Sequence, residues 1–130
     1  QYGHLDNIIM TGSVNNVNEY LQASDIYISS SKSEGLPNGV LEAMAVGLPV
    51  ILSDIEQHKE VYDANQNIGE LYRIGNKSDC MNKILSMKRS KCVACGEEAY
   101  GCAHEQFSAE RMSKQYQDEY VRIYGKKKIR

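Results

Sequence analysis

Residues 30–54, SSKSEGLPNGVLEAMAVGLPVILSD, decide the fold of this chain. They predict a helix over residues 37–46 and a buried strand over residues 49–53, with a polar loop before the helix. Proline suits the first turn of a helix because its missing N–H would be unsatisfied there, so Pro37 predicts the helix start. Gly47 suits the left-handed position that ends a helix. A loop and a helix between strand-like runs indicate helices that cover a parallel sheet.

The same alternation of short apolar runs and segments of helical period continues on both sides of this stretch. Further strands are predicted at residues 7–11, 26–30 and 69–74. Further helices are predicted at residues 16–24, 55–62, 78–88 and 108–124, with one more helix that carries most of the cysteines. We therefore expect the α/β class, with a Rossmann-like parallel sheet flanked by helices.

Two of these helices have apolar faces that need a partner. The expected inner face of the helix at residues 78–88 carries Met81, Ile84 and Leu85. The final helix, at residues 108–124, begins at Ser108, a residue type that caps helix N-termini. Its apolar stripe, which we interpret as packing rather than ligand contact, consists of Met112, Tyr116, Tyr120 and Ile123.

The composition fits one globular domain. Of the 130 residues, 42% are hydrophobic and 25% are charged, which is ordinary for a soluble protein. A net charge of −2 gives no electrostatic reason to expect a nucleic-acid partner. No apolar run approaches the roughly 20 residues that cross a bilayer, so we expect a cytoplasmic protein. The basic end is interpreted as solvated, with a weak peripheral contact at the inner membrane face as the alternative; it consists of Lys126, Lys127, Lys128 and Arg130.

The four cysteines are interpreted as core residues rather than metal ligands. Cys92 and Cys95 form a CxxC pair, but on a helix they share one face with Ala99 and Cys102. A free cysteine at such a position behaves as a small buried hydrophobe. Structural zinc sites usually take their ligand pairs from turns or loops. No metal site is therefore predicted.

The candidate chemistry lies where the polar loop meets the helix that starts at Pro37. In α/β sheets ligands bind beyond the carboxyl ends of strands, and residues 31–36 follow such an end. The free N–H groups of the first helical turn and the helix dipole attract an anion such as phosphate. Glu34 and Glu42, with seven residues between them, could each accept hydrogen bonds from vicinal hydroxyls of a ribose or hexose. Phosphate and sugars together describe a nucleotide sugar.

Taken singly, each glutamate is more simply explained as solvated, since a loop glutamate and a mid-helix glutamate usually face water. The residues between and after them reverse that balance. They are the Gly-Leu-Pro at residues 35–37 and the Ala-Met-Ala-x-Gly-x-Pro at residues 43–49. Gly35 and Gly39 also leave room for a ligand to approach the backbone.

The same residues resemble the donor-site signature of retaining GT-B glycosyltransferases of the family 4 type. The signature residues are 33–37 (SEGLP), 40–45 (VLEAMA), Gly47, 49–51 (PVI) and Asp54. The order of features elsewhere is also similar to that family, at Gly12, residues 23–26 and 29–31, Glu60, Gly69, Phe107, Ser108, Tyr116 and Tyr124.

The resemblance implies that residues 1–130 are a partial C-terminal domain that binds a nucleotide sugar. Glu34 would contact the hydroxyls of the transferred sugar as the catalytic residue, and Glu42 would bind the ribose. The remaining donor-binding residues would be Gly35, Leu36, Pro37 and Asn38 at the sugar and diphosphate, and Val40 and Leu41 near the nucleoside.

The resemblance also implies the reaction. A UDP- or GDP-sugar would be the donor, transfer would proceed with retention, and neither a protein nucleophile nor a metal or other cofactor would be required. A glycan or lipid-linked acceptor would be bound by an N-terminal domain, towards which the final helix packs. In that family two further strands, an Arg/Lys pair and a catalytic histidine come from preceding segments. We therefore expect the 130 residues to be inactive alone.

The resemblance also has a consequence for the sheet. The preceding strands would lie between residues 7–11 and 26–30, so we expect re-pairing of strands or a homo-oligomer formed through unpaired edges.

None of His4, His58 and His104 has a matching context in the family pattern. The alternative function is a non-catalytic nucleotide-binding or regulatory module with the same fold. A flavodoxin-like receiver is disfavoured because its acidic cluster is missing after the first strand.

Overall fold

The computed structural model describes residues 5–107 of the chain. The final predicted helix, the basic end and His4 lie outside these residues. The strands are β1 (Tyr27–Ser29), β2 (Val50–Ser53) and β3 (Gly69–Tyr72), and the α-helices are α1 (Val17–Gln22), α2 (Asn38–Ala45), α3 (Glu56–Ala64), α4 (Lys77–Ser86) and α5 (Arg89–Gln106). Two single 3-10 turns lie at Leu5–Asn7 and Gln66–Ile68.

The three strands form one parallel sheet in the order β1-β2-β3. In its register Ile51 of β2 lies between Ile28 of β1 and Glu70 of β3. All four residues of β2 are buried, as expected for a central parallel strand that is covered on both faces. The predicted parallel sheet with flanking helices is confirmed.

The core packs on both faces of this sheet. One cluster combines residues of α2, β2, α3, the second 3-10 turn and α5, and contains Val40, Met44, Val50, Leu52, Val61, Ile68, Ala99, Cys102 and Ala103. A second cluster contains Ile51, Tyr72, Met87 and Cys95. The helices α2 and α5 approach closely, since a side chain at Gly96 would collide with the backbone oxygen of Gly47.

The cysteine face of α5 lies in the core as predicted. Cys95, Ala99 and Cys102 are buried, and Cys92 is half-buried. Burial raises the pKa of the Cys95 and Cys102 thiols above the usual value, which favours the uncharged form expected of packing residues. Within residues 5–107, no group of three or more His, Cys, Asp and Glu side chains could hold a metal ion.

The ends of α2 confirm most of the prediction from turn chemistry. Gly47 adopts φ +86°, the left-handed conformation expected at the end of a helix, and its N–H donates to the Met44 carbonyl. Pro37 occupies the N-cap rather than the first helical position, so α2 begins one residue later than predicted. The helix start still follows the polar loop directly.

The prediction of a strand at residues 7–11 is wrong. This segment contains the end of a 3-10 turn and irregular backbone, and Ile9 and Met10 are 84% and 90% exposed. A strand needs a neighbour to satisfy its backbone hydrogen bonds, and no strand of the described sheet lies against this segment. The outer edge of β1 has no strand partner among the described strands, and the predicted association through such edges stays a prediction.

The predicted inner face of α4 is also wrong. Met81 and Leu85 are 62% and 65% exposed, and Ile84 is exposed too. The start of this helix is capped, since Asn76 Oδ1 accepts from the Asp79 N–H, and Asp79 accepts from the Arg73 N–H after β3. Two other side chains of α4 contact the rest of the protein instead: Cys80 packs against the second core cluster, and Lys83 forms an ion pair with Glu70.

Candidate functional site

The carboxyl ends of the three strands are joined by hydrogen bonds into one edge. Ser53, at the end of β2, donates from Oγ to the carbonyl of Ser31 in the loop after β1, at 2.7 Å. The next residue, Asp54, donates its N–H to the Tyr72 carbonyl and accepts from the Ile74 N–H, both beside the end of β3. The polar loop is therefore held at the sheet edge where α/β proteins bind ligands.

Glu34 is anchored within this loop. Ser31 Oγ donates to Glu34 Oε1 at 2.7 Å, and Ser29 Oγ lies 3.3 Å from Ser31 Oγ. The Glu34 side chain is 26% exposed, while its Oε2 atom is buried. The carboxylate therefore lies partly inside the protein.

His58 of α3 faces the buried side of Glu34. The His58 side chain is 0% exposed, and its Nε2 lies 3.4 Å from Glu34 Oε2. That is an ion-pair distance, but neither atom has a hydrogen-bond partner among the described residues. The other ring nitrogen, Nδ1, lies 2.8 Å from the Ser53 carbonyl oxygen and 3.2 Å from Ser53 Oγ.

His58 has no role in the functional site predicted from the sequence. Its neighbours Gln57, Lys59 and Glu60 are polar, which makes this part of α3 resemble a solvated helix. The spacing in the sequence indicates that His58 could be buried, because it lies three residues before Val61 and would share its side of the helix. Both residues are buried in α3.

The start of α2 carries the other predicted donor-binding residues. Asn38 is exposed, and its N–H donates to the Leu36 carbonyl at 2.8 Å. The Val40 side chain is buried in the core and Leu41 is half-buried against it, so these two offer a ligand mainly their backbone. Gly39 lies beside a phenol, because a Cβ atom there would lie 2.5 Å from Tyr27 Oη.

The Tyr27 phenol is affected by the charges of both glutamates. Burial raises the pKa of the Tyr27 phenol, and the negative charges of Glu34 and Glu42 raise it further. Both carboxylates therefore lie within electrostatic range of the same side chain, although Glu42 is exposed on α2 and Glu34 is partly buried. The Tyr27 phenol, which lies beside Gly39 at the start of α2, is thus within electrostatic range of both glutamates.

Residues 1–89 match the family model described as glycosyl transferases group 1. The chain belongs to this family. Two curated relatives of this group 1 chain illustrate the likeness. TuaC of Bacillus subtilis (strain 168), named for teichuronic acid biosynthesis, is 39% identical over 70 residues. The UDP-Gal:alpha-D-GlcNAc-diphosphoundecaprenol alpha-1,3-galactosyltransferase of Escherichia coli is 29% identical over 98 residues.

The alignments cover much of this chain and little of the relatives. They include 52% of this chain and 17% of TuaC, and 61% of this chain and 25% of the Escherichia coli enzyme. The chain thus spans a quarter or less of the length of these two relatives. Among its described residues, no helix is long and apolar enough to cross a membrane.

Solved structures confirm the fold. TarM aligns with a TM-score of 0.74 at 23% identity, over 87% of this chain and 23% of that one. Sucrose-phosphate synthase from Thermosynechococcus elongatus aligns with a TM-score of 0.70 at 19% identity, over 82% and 27%. The predicted membership of a glycosyltransferase family is confirmed at the level of group 1, and the Rossmann-like α/β architecture of a GT-B glycosyltransferase is confirmed.

Proposed function

We propose that this chain is the donor-binding part of a retaining glycosyltransferase that uses a nucleotide-diphosphate sugar. The observation that carries the proposal is the carboxylate of Glu34, which Ser31 anchors in the loop directly before the start of α2, while Glu42 is exposed on that helix. An anionic diphosphate and two sugar rings need one positive electrostatic feature and two hydroxyl acceptors within a short distance. The helix start and the two carboxylates supply them.

Each part of the donor has a proposed partner. The diphosphate would lie against the backbone of Gly35, Leu36, Pro37 and Asn38, where the dipole of α2 favours negative charge. Glu42 would bind the ribose hydroxyls, since it is exposed on the first turns of α2. Glu34 would bind the transferred sugar with the oxygen that also accepts from Ser31.

The chemistry follows from these positions. A carboxylate that is anchored by Ser31 is suited to orient the sugar and to stabilise positive charge that develops at the anomeric carbon. We propose transfer with retention, with no protein nucleophile and no required metal, so that diphosphate departs as the acceptor hydroxyl enters on the same face. Residues 1–130 alone are proposed to bind donor without turnover.

The names of relatives support the substrate class. The Escherichia coli relative is named as transferring galactose from UDP-Gal to a diphosphoundecaprenol-linked sugar, and TuaC is named for teichuronic acid biosynthesis. We propose a UDP- or GDP-sugar donor and a glycan or lipid-linked acceptor, bound by a further domain. A lipid-linked acceptor would bring the enzyme to a membrane surface.

The proposal is tested by titrating UDP and GDP into the purified protein by calorimetry. Glu42→Ala should weaken binding of the preferred nucleotide by about tenfold, the order expected for losing a hydrogen bond to a charged group. Glu97→Ala is the matched control, since Glu97 is an exposed helical glutamate of α5 next to Gly96, which packs at the far end of α2. Failure of both nucleotides to bind would overturn the proposal, and binding without turnover by the full-length protein would indicate a regulatory module.

A further inference from the structure

The buried contact between His58 and Glu34 has a defined pattern of donors and acceptors. Ser53 Oγ uses its proton in the bond to the Ser31 carbonyl, so it can only accept at its contact with His58. The other neighbour of His58 Nδ1 is the Ser53 carbonyl oxygen, which is also an acceptor. Nδ1 must therefore carry a proton and donate it to Ser53.

The proton on Nδ1 determines what the opposite nitrogen presents to Glu34. In neutral histidine with a protonated Nδ1, Nε2 bears a lone pair. This lone pair would face Glu34 Oε2, also an acceptor, at 3.4 Å, with both atoms buried and without another partner among the described residues. Two buried acceptors facing each other are unfavourable, whereas one proton between them satisfies both.

We propose that His58 is a positioning residue for Glu34, with a proton held between His58 Nε2 and Glu34 Oε2. This inference rests on the proposed function in one respect, namely that Glu34 contacts the donor sugar. The proton fixes the Oε2 side of the carboxylate inside the protein, while Ser31 fixes Oε1. A carboxylate oxygen has two acceptor sites, so Oε1 keeps one for a sugar hydroxyl.

The shared proton has a second consequence for the donor site. A protonated His58 beside an ionised Glu34 forms a pair with no net charge, whereas a neutral His58 would leave one negative charge. The proposed diphosphate binds nearby at the start of α2 and is itself anionic. The shared proton therefore reduces the repulsion between Glu34 and the donor.

Two substitutions test the two ring nitrogens of His58 separately, because each keeps a donor at the place of only one of them. In His58→Gln the side-chain amide occupies the place of Nε2 and can still donate to Glu34. In His58→Asn the amide occupies the place of Nδ1 and can donate only to Ser53. The readout is the ratio of the affinities for a sugar nucleotide and for the free nucleotide, measured by calorimetry with UDP-glucose, UDP-galactose, GDP-mannose, UDP and GDP.

The expected result is a ratio that falls about tenfold in His58→Asn, the order of one charge-assisted hydrogen bond, and stays near the wild-type ratio in His58→Gln. Both substitutions remove the positive charge of His58, so both should weaken binding of the free nucleotide to a similar extent, and the ratio isolates the contact with the sugar. A cooperative urea transition shows that each variant is folded. Equal ratios in wild type and His58→Asn would overturn the proposal.

A nitrogen-15 NMR measurement on the imidazole of His58 tests the proton without any ligand. In the calorimetry buffer, both ring nitrogens of wild-type His58 should have shifts typical of protonated nitrogen. In Glu34→Gln the amide can donate to Nε2, so that nitrogen should change to an unprotonated shift. A bare Nε2 in the wild type would refute the inference even if donors bind. If no nucleotide binds, the proposed function fails and this spectrum still decides the protonation of His58.

Discussion

Glu34 and Glu42 belong to one sequence motif but lie in different surroundings. In the loop after β1, Glu34 is partly buried, with one oxygen bonded by Ser31 and the other facing His58. On α2, Glu42 is exposed. Both charges nonetheless raise the pKa of the same phenol, Tyr27. The two glutamates therefore act electrostatically on the same side chain, although one is partly buried and the other is exposed.

This difference indicates how stability and binding are divided between the glutamates. A carboxylate within a buried polar cluster is part of the folded structure, because removing it leaves other buried groups without partners. A carboxylate on an exposed helix face can be removed with little effect on folding. Substitutions around Glu34 should therefore lower stability, and substitutions at Glu42 should act on binding alone.

The largest expected effect is that of His58→Leu. The substitution removes the donor to the Ser53 carbonyl and leaves Glu34 Oε2 facing an apolar side chain, so we expect a loss of about 3 kcal/mol in the free energy of unfolding. Urea denaturation measures this loss. The control is His104→Leu, because His104 is exposed and contacts the Ala45 carbonyl; it should cost about 1 kcal/mol or less. Equal losses in the two variants would show that the buried contacts of His58 with Ser53 and Glu34 stabilise the protein no more than an exposed histidine does.

Removing each glutamate in turn should give the next largest difference. Glu34→Ala leaves the Ser31 hydroxyl and His58 without their acceptor, and we expect it to lower the free energy of unfolding by about 2 kcal/mol. Glu42→Ala should change it by about 0.5 kcal/mol or less, since the side chain is exposed. Denaturation curves of the two variants, measured side by side, check the difference. The comparison breaks down if Glu42→Ala is the less stable protein.

A smaller effect is expected when only the anchor of Glu34 is removed. Ser31→Ala deletes the 2.7 Å hydrogen bond to Glu34 Oε1, so we expect a loss of about 1 kcal/mol in the free energy of unfolding. Ser33→Ala is the control, because Ser33 is an exposed serine of the same loop. If Ser33→Ala costs as much as Ser31→Ala, the loop does not depend on the bond to Glu34.

The smallest expected effect is electrostatic. Replacing Glu42 by Gln removes one of the negative charges that raise the pKa of Tyr27, so that pKa should fall. A carbon-13 NMR titration of labelled tyrosine follows the phenol, and Tyr27→Phe assigns its signal. Glu97→Gln, on α5, should leave the pKa of Tyr27 as it is. An unchanged pKa in Glu42→Gln would mean that Glu42 lies too far from Tyr27 to act on it.

The elements nearest the motif were predictable because local chemistry and tertiary packing agree there. Residues 49–53 are apolar enough for a central strand, and Gly47 has the freedom that a helix end needs. At residues 7–11 the apolar pattern was similar, but a strand also requires a neighbour, which no local pattern reveals. The prediction of the inner face of α4 was wrong for a related reason, because tertiary contacts of Cys80 and Lys83, which no local pattern reveals, lie on another side of the helix.

The site was predictable in part. The spacing of Glu34 and Glu42 and the start of α2 could be recognised along the chain, and both glutamates lie within electrostatic range of Tyr27. His58 could not be recognised in the same way, because its contacts with Ser53 and Glu34 join residues from separate elements. The spacing of His58 and Val61 indicates a shared face of α3, but it does not indicate which groups that face contacts.

The most direct test of the account compares how Glu34→Ala and Glu42→Ala bind a free nucleotide and the matching sugar nucleotide. Calorimetry should show that Glu42→Ala weakens both ligands by the same factor, about tenfold. Glu34→Ala should bind the free nucleotide as the wild type does, and lose the additional affinity that the sugar provides. Wild-type affinities of both variants for both ligands would contradict the claim that the two glutamates share one donor site.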